Sequence, residues 1–263
     1  MQVRTKGGIA RAELQDAPSC DVAGCDGEGS VLVRDEHGRR ILSRCRWRDM
    51  GRSVEHFNHA AIPARHADST LVSFDKDLEG VTESFIRAFS WTESFDPGRE
   101  NRGLVLHGQV GRGKTHLMVA MIRELTLRKG TAVRFIEVTE LLSQLREAFS
   151  ERRSTSSLLH SVSNVPVLAI DELGKGGRTD WQMSVIDEVI SRRYNTMGTI
   201  LATTNYPPGP PTGAGSVNLA DEASLQRQTL GDRIGARAYS RLREVCDFVE
   251  IRGADYRERP RNG

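Results

Sequence analysis

The octapeptide Gly108-Gln109-Val110-Gly111-Arg112-Gly113-Lys114-Thr115 constrains this chain more than any other feature. It matches G-x-x-x-x-G-K-[ST]. It stands between an apolar strand, Gly103-Leu104-Val105-Leu106-His107, and a segment, Lys114 to Lys129, that is apolar on most of its helical circumference. Strand, glycine loop and helix in that order make an anion cradle. The glycines let backbone N–H groups turn inward around a β-phosphate, and the helix N-terminus adds the positive end of its dipole. Lys114 can then reach β- and γ-phosphate oxygens, and the Thr115 hydroxyl can ligate Mg²⁺. The candidate nucleotide-binding residues are Gly108, Gly111, Arg112, Gly113, Lys114, Thr115 and His116, and ATP with Mg²⁺ is the implied ligand.

Downstream the chain alternates strand and helix patterns. Ala132 to Val138 predicts a strand, and Thr139 is a plausible N-cap for a helix running to Ser150. Val165 to Leu173 predicts a third strand, Asp180 to Tyr194 a helix, and Thr199 to Asn205 a fourth strand ending in a polar tip. Pro207 to Gly213 is a loop by composition. Ser224 to about Val245 reads as helical with a possible break at Gly235, and Asp247 to Ile251 as a last strand. The third strand ends in Asp171-Glu172, a Walker B element. Asp171 is expected to support the metal or its waters, and Glu172 to polarise the attacking water as general base. Asn205 would lie beside the γ-phosphate as a sensor if its strand lies between the other two; the alternative is an Asn that favours the turn into Pro207-Pro208.

Composition bounds the rest. No apolar run approaches the ~20 residues that span a bilayer, and the first residues lack the apolar region of a secretory signal. A cytoplasmic protein with no membrane partner is expected. The net charge of +2 conceals two arginine-dense segments: Arg34, Arg39, Arg40, Arg44, Arg46, Arg48 and Arg52 in the first, and nine arginines against six acids over residues 227–261 in the second. The composition shift near residues 57–67 divides the chain into a small N-terminal module, 1–60, and a main domain, 61–263.

The order of glycine loop, Asp171-Glu172, Asn205 and late arginines resembles the AAA+ ATPases. Ile62-Pro63-Ala64-Arg65-His66, Thr70 to Phe74, Ile186-Asp187 through Arg193-Tyr194, Thr203 to Tyr206, Gly231 to Leu242 and Gly253 to Arg257 resemble their DnaC and IstB branch, over about residues 60–258. That resemblance implies an α/β fold of three αβα layers around a parallel sheet. It also implies little or no helical lid, since only a few residues follow Arg257. By the same resemblance Arg241 is similar to the arginine finger that enters a neighbour's site, with Arg233 and Arg237 as rivals, and Arg257 is similar to the sensor II arginine. Arginine suits both roles because its planar, permanently charged fork stabilises charge developing on γ-phosphoryl oxygens.

Cys20-x4-Cys25 followed by Cys45 resembles the zinc module at the front of many loaders, but Cys45-Arg46-Trp47 lacks the usual second cysteine. Zn²⁺ held by Cys20, Cys25 and Cys45 with His37 as fourth ligand is one expectation, His56 a weaker choice of ligand, and a metal-free module the other. The function that the resemblance implies is loading of a replicative hexameric DNA helicase, with self-association and contact to single-stranded DNA. An IstB-like helper ATPase for a transposase, or a nucleotide-gated scaffold, are the alternatives.

Overall fold

The computed structural model describes residues 1–14, 25, 30–76, 80–151, 154–176, 179–212, 228–253 and 255–256. Its centre is a five-stranded parallel sheet. The strands are β5 (Gly103–His107), β6 (Val133–Glu137), β7 (Val167–Asp171), β8 (Thr199–Thr204) and β9 (Cys246–Glu250), in the order β6-β7-β8-β5-β9. Every residue of β7 and of β8 is buried, as expected for strands covered on both faces. Side chains alternate between two cores: Leu104, Leu106 and Ala169 face one, and Val105, Leu168 and Ile170 the other.

The first face carries α1 (Arg46–Ala60), α2 (Thr82–Ser94) and α3 (Lys114–Arg123), and α3 runs on as a π-helical segment, Glu124–Arg128. All of Leu117 to Ile122 is buried, which explains why that stretch is apolar almost all round. The second face carries α4 (Val138–Ser150), α5 (Ser156–Ser163), α6 (Asp180–Asn195), α7 (Leu230–Ile234) and α8 (Ala236–Val245). Gly235, at φ 87°, interrupts the last two, where a break is expected from sequence. Two details differ from the sequence expectation. Helix α4 starts at Val138, and the Thr139 hydroxyl donates to Glu137 Oε1 at 2.8 Å instead of capping the helix. The capped starts are those of α6, where Thr179 and Gln182 form a reciprocal capping box, and of α7, where Thr229 and Asp232 do the same.

The described part of residues 1–60 forms two antiparallel hairpins and α1. In the first, β1 (Gln2–Lys6) and β2 (Ile9–Glu13) turn through Gly7-Gly8; in the second, β3 (Ser30–Arg34) pairs with β4 (Arg40–Arg44). Ala10 N donates to Ile62 O at 2.8 Å and Ala12 N to Asn58 Oδ1 at 2.8 Å. Ala10, Phe57 and Ala60 share one core with Leu117 and Met118 of α3. The composition shift therefore falls inside a continuous packed layer, because apolar residues from both sides of it meet over the same sheet face.

A buried cation fixes the far ends of β7 and β8. Arg193, only 1% exposed, donates to the carbonyls of Ser163 (2.7 Å), Pro166 (2.9 Å) and Thr199 (2.9 Å), and also to Val165 O. Burial lowers its pKa to about 10, so it stays charged at neutral pH. Arg193→Leu should lower stability by more than about 2 kcal/mol, because several buried carbonyls lose their donor at once. Urea unfolding followed by far-UV circular dichroism measures this, and an unchanged midpoint would mean that solvent replaces the guanidinium.

Candidate nucleotide site

The strand order places β8 between β5, which leads into the glycine loop, and β7, which ends in Asp171. All three deliver residues to the carboxyl edge of the sheet, where open α/β sheets bind ligands. A cleft of about 520 Å³ opens there, lined among others by Gly111, Arg112, Gly113, Lys114, Thr115, His116, Glu172 and Asn205.

Asp171 is the centre of the site. It is fully buried, and its Oδ1 accepts from the Thr115 hydroxyl at 2.9 Å and from the Thr203 hydroxyl at 2.6 Å. Burial raises its pKa above the ordinary 3.8, and the two threonine hydrogen bonds oppose that rise only in part. Its second oxygen, Oδ2, is buried with no hydrogen-bond partner among the described residues. A buried carboxylate oxygen left unpaired beside a threonine hydroxyl fits a divalent cation, so Asp171 and Thr115 are the residues that would hold Mg²⁺. The Thr203 hydroxyl also accepts from Glu172 N at 2.9 Å, which couples the backbone of the next residue to the same threonine.

The glycine loop is closed by its own lysine. Lys114, 7% exposed, donates to Gly108 O at 2.8 Å and Gln109 O at 2.6 Å, closing the loop on itself. At Gly111, φ is 79° and a Cβ would lie 1.9 Å from Asp255 Oδ1, so only glycine fits where the chain's late segment crosses the loop. Tyr256 N donates to Gly111 O at 3.0 Å in the same crossing. Arg112 is tied to Gln109 Oε1 (2.6 Å) and Ile251 O (3.3 Å). The His116 ring faces Thr70 O (3.1 Å) and Ser73 Oγ (3.2 Å), so it braces the cleft wall instead of pointing at the phosphate cradle. Burial lowers the pKa of His116 and His107, and burial with the nearby Arg65 and His116 takes His66 to about 4. These imidazoles are neutral at physiological pH.

Asn205 follows directly on β8 and lines the cleft. Arg257 lies outside the described residues. Among the expected fingers, Arg233 is excluded as a trans residue: it is 7% exposed and donates within its own chain to Gly174 O (2.9 Å) and Gly176 O. Arg241 and Arg237 lie on α8, both turned to Asp187 of α6, Arg241 at 3.0 Å and Arg237 at 3.7 Å. Arg237 has the more exposed side chain, 80% against 32%. Cleft residues to which the sequence reading assigns no role are Arg65, Lys175, Arg252 and Tyr256. They come from three places, the 3-10 turn Ala64–His66, the turn after β7 and the segment after β9.

The expected zinc ligands do not converge on His37. Cys45 is fully buried at the start of α1, and Cys25 bridges to Val31 near the same end of the β3–β4 hairpin. His37 sits in the turn at the opposite end, bonded through its N–H to Asp35 Oδ1, roughly 15 Å along the strand from Cys45. His56 Nδ1 lies 2.8 Å from Gly130 O and is engaged there. Cys20 lies outside the described residues, and among those described no three His, Cys, Asp or Glu side chains form a metal cluster.

The family described as IstB-like ATP binding protein matches residues 39–262. The chain belongs to that family. It is 29% identical over 141 residues to the replicative helicase loader DnaC of Escherichia coli (strain K12), which covers 53% of this chain and 56% of the relative. The chain thus spans just over half the length of the DnaC relatives it matches. A phage-like element PBSX protein, XkdC, of Bacillus subtilis (strain 168) is 28% identical over 254 residues, 92% of this chain and 86% of its own. The crystal structure of the DnaC helicase loader superposes with a TM-score of 0.57 at 27% identity, covering 72% of this chain and 99% of that one. Fold, strand order and family together make this a DnaC/IstB-type AAA+ domain.

Folding raises the Asp171 pKa, so this carboxyl costs native stability as pH rises above 3.8, and the cost remains at neutral pH. Asp171→Asn should therefore raise the melting temperature of the nucleotide-free protein. The same substitution should abolish the further rise expected when Mg²⁺ and ATP are added to the parent protein. Differential scanning fluorimetry reads both, and a lower melting temperature for the nucleotide-free variant would contradict the assignment.

Proposed function

We propose that this protein is an ATP-dependent loader of a replicative hexameric DNA helicase that binds and hydrolyses ATP–Mg²⁺. The observation that supports it best is the hydrogen-bonded chain Thr115–Asp171–Thr203, which brings a phosphate loop, a metal-ligating carboxylate and the backbone of Glu172 to one cleft. The N–H groups of Gly108 to Thr115 would cradle the phosphates, and Lys114 would leave the loop carbonyls for the β- and γ-oxygens. Mg²⁺, when bound, supplies charge neutralisation on those oxygens. Glu172 takes a proton from a water molecule as the water oxygen bonds to the γ-phosphorus. The bond from that phosphorus to the β–γ bridging oxygen breaks, and ADP and phosphate leave. Asn205 orients the water or senses the γ-phosphate, and Arg257 acts on it from the same chain.

Arg241 of one copy completes the site of the next, with Arg237 as its rival, and both would exchange Asp187 for the neighbour's phosphate. The N-terminal module docks on the helicase. The β3–β4 hairpin supports that role, since Leu32 and Leu42 stand side by side on one face, 57% and 71% exposed. A second reading, an IstB-like helper ATPase for a transposase, draws on the family match over residues 39–262.

Lys114→Ala should abolish nucleotide binding, and Glu172→Gln should keep binding while lowering turnover at least ~100-fold, the usual loss for a general base. Full turnover in Glu172→Gln would overturn that assignment. Inactive Arg241→Ala and inactive Lys114→Ala proteins, mixed, should regain activity through interfaces that pair an intact site with an intact finger. Absence of rescue for Arg241→Ala together with rescue for Arg237→Ala would transfer the finger to Arg237.

Single-stranded DNA should bind weakly, only in the ATP state, with an affinity that falls steeply with salt as counterions are released. Fluorescence anisotropy with single- and double-stranded oligonucleotides measures this. A preference for duplex, or equal binding with and without nucleotide, would favour the transposition helper.

A further inference from the structure

The β1–β2 hairpin has one free face, and cations fill it. Val3, Ala10 and Ala12 pack into the core that holds Phe57 and Ala60 of α1, so strand alternation turns Gln2, Arg4, Lys6, Ile9, Arg11 and Glu13 the other way. The antiparallel register sets Arg4 directly opposite Arg11, Lys6 opposite Ile9 and Gln2 opposite Glu13. Arg4, Lys6 and Arg11 are all exposed, and Arg4 donates to Gln2 Oε1 at 3.0 Å. None of the three is ion-paired among the described residues. Arg4 stands about 5 Å from Arg11 across the ladder and about 7 Å from Lys6 along the strand, inside the ~8 Å over which salt screens a charge. Like charges directly opposed on a ladder are destabilising, and Glu13, at the far end, is the one acid on this face.

The hairpin is tied firmly to the main domain. Ala12 N donates to Asn58 Oδ1 at 2.8 Å, and Asn58 Nδ2 returns a hydrogen bond to Ala12 O at 3.2 Å. Ala10 N donates to Ile62 O at 2.8 Å, Ala64 N donates to Gly8 O at 2.9 Å, and Ile9 bridges to Pro63 between them. The second edge of β2 is therefore engaged by the segment from Ile62 to Ala64. That segment runs directly into the 3-10 turn Ala64–His66, whose Arg65 and His66 line the nucleotide cleft. Basic face and cleft wall belong to one hydrogen-bonded unit.

We infer that Arg4, Lys6 and Arg11 form a contact surface for the phosphate backbone of nucleic acid, mounted on the wall of the nucleotide cleft. The inference rests on the DNA contact proposed above and names a surface for it that lies outside both arginine-dense segments. A phosphate received between Arg4 and Arg11 relieves their repulsion, and each guanidinium fork matches its oxygens. The face suits nucleic acid better than protein. It holds no aromatic residue and its one large apolar side chain, Ile9, is half-buried, whereas protein interfaces centre on apolar and aromatic anchors. With no ring to stack on a base, and with the hairpin's other face packed on α1, the contact is to backbone alone and carries no sequence preference. A nucleotide bearing on Arg65 or His66 shifts the 3-10 turn and, through Ala64 and Ile62, the hairpin, which gives ATP a route to the DNA contact.

The test is fluorescence anisotropy of the full chain with ATP, on labelled single- and double-stranded oligonucleotides, across about 50 to 200 mM salt. The parent is compared with a triple variant, Arg4→Gln, Lys6→Gln and Arg11→Gln, and with Glu13→Gln. Loss of three phosphate contacts should reduce the slope of log affinity against log salt by about 2 on single strands and about 2.7 on duplex, and weaken binding at least about tenfold at the lower salt. Glu13→Gln removes the acid from the face and should tighten binding about twofold, the scale of an exposed charge interaction. All four positions are exposed, so melting temperature and DNA-free ATP hydrolysis should stay at the parent values. If the triple variant fails to fold, Glu13→Gln decides by its opposite sign. A folded triple variant with the parent's affinity and salt slope overturns the inference and leaves the ATPase proposal standing. Labelled poly-glutamate bound as tightly as DNA overturns nucleic acid as the occupant and makes the face a contact for an acidic protein. No DNA binding by the parent in any nucleotide state overturns the proposed DNA contact, and this surface with it.

Discussion

The buried carboxylate of Asp171 organises the site. Its Oδ1 accepts from Thr115 on α3 and from Thr203 on β8, so a helix, a strand and the end of a third element converge on one oxygen atom. Those hydrogen bonds offset part of the cost of burying the group, and Oδ2 remains without a partner among the described residues. A bound divalent cation would relieve what is left. Stability and ligand binding are thereby opposed at a single residue, which is common where a site is built before its ligand arrives.

Around that centre the charged groups are layered by depth. Lys114 is buried and committed to loop carbonyls, whereas Lys175 and Arg65 lie toward solvent and engage the acidic pair Glu137 and Glu172. Interactions at such exposure are individually weak, so they contribute little to holding the fold. The fold is held instead by the two apolar cores and by Arg193, whose hydrogen bonds to the carbonyls flanking β7 and β8 lie out of reach of water.

Much of the scaffold is legible in the residues themselves. β5, the glycine loop and α3 stand out because a fully apolar strand, a spaced glycine set and a helix buried all round each leave a strong local pattern. The hairpins of residues 1–44 are harder to see: their strands are five residues long and mostly exposed, so the alternation is diluted by arginine. Thr139 has the identity of a cap but bonds to Glu137 because the chain enters α4 directly from β6, two residues earlier than the capping position requires. His37 has ligand chemistry, yet the β3–β4 register carries it to the far end of the hairpin from Cys45.

What the sequence by itself determined is the set of residues that must act close to one another along the chain: Gly108 to Thr115, the pair Asp171-Glu172, and Asn205 at a strand end. Their chemistry depends on local spacing, and local spacing is written in the chain. The tertiary structure alone decided which distant groups meet them. The insertion of β8 between β5 and β7 brought Thr203 to Asp171 and Asn205 to the cleft, and the packing of α7 under the loop after Glu172 turned Arg233 inward. Arg233 and Arg241 are the same residue type eight positions apart, and nothing local separates them. One is buried against carbonyls and the other lies partly exposed on the outer side of α8 because burial is set by which faces pack together, a property of the whole fold.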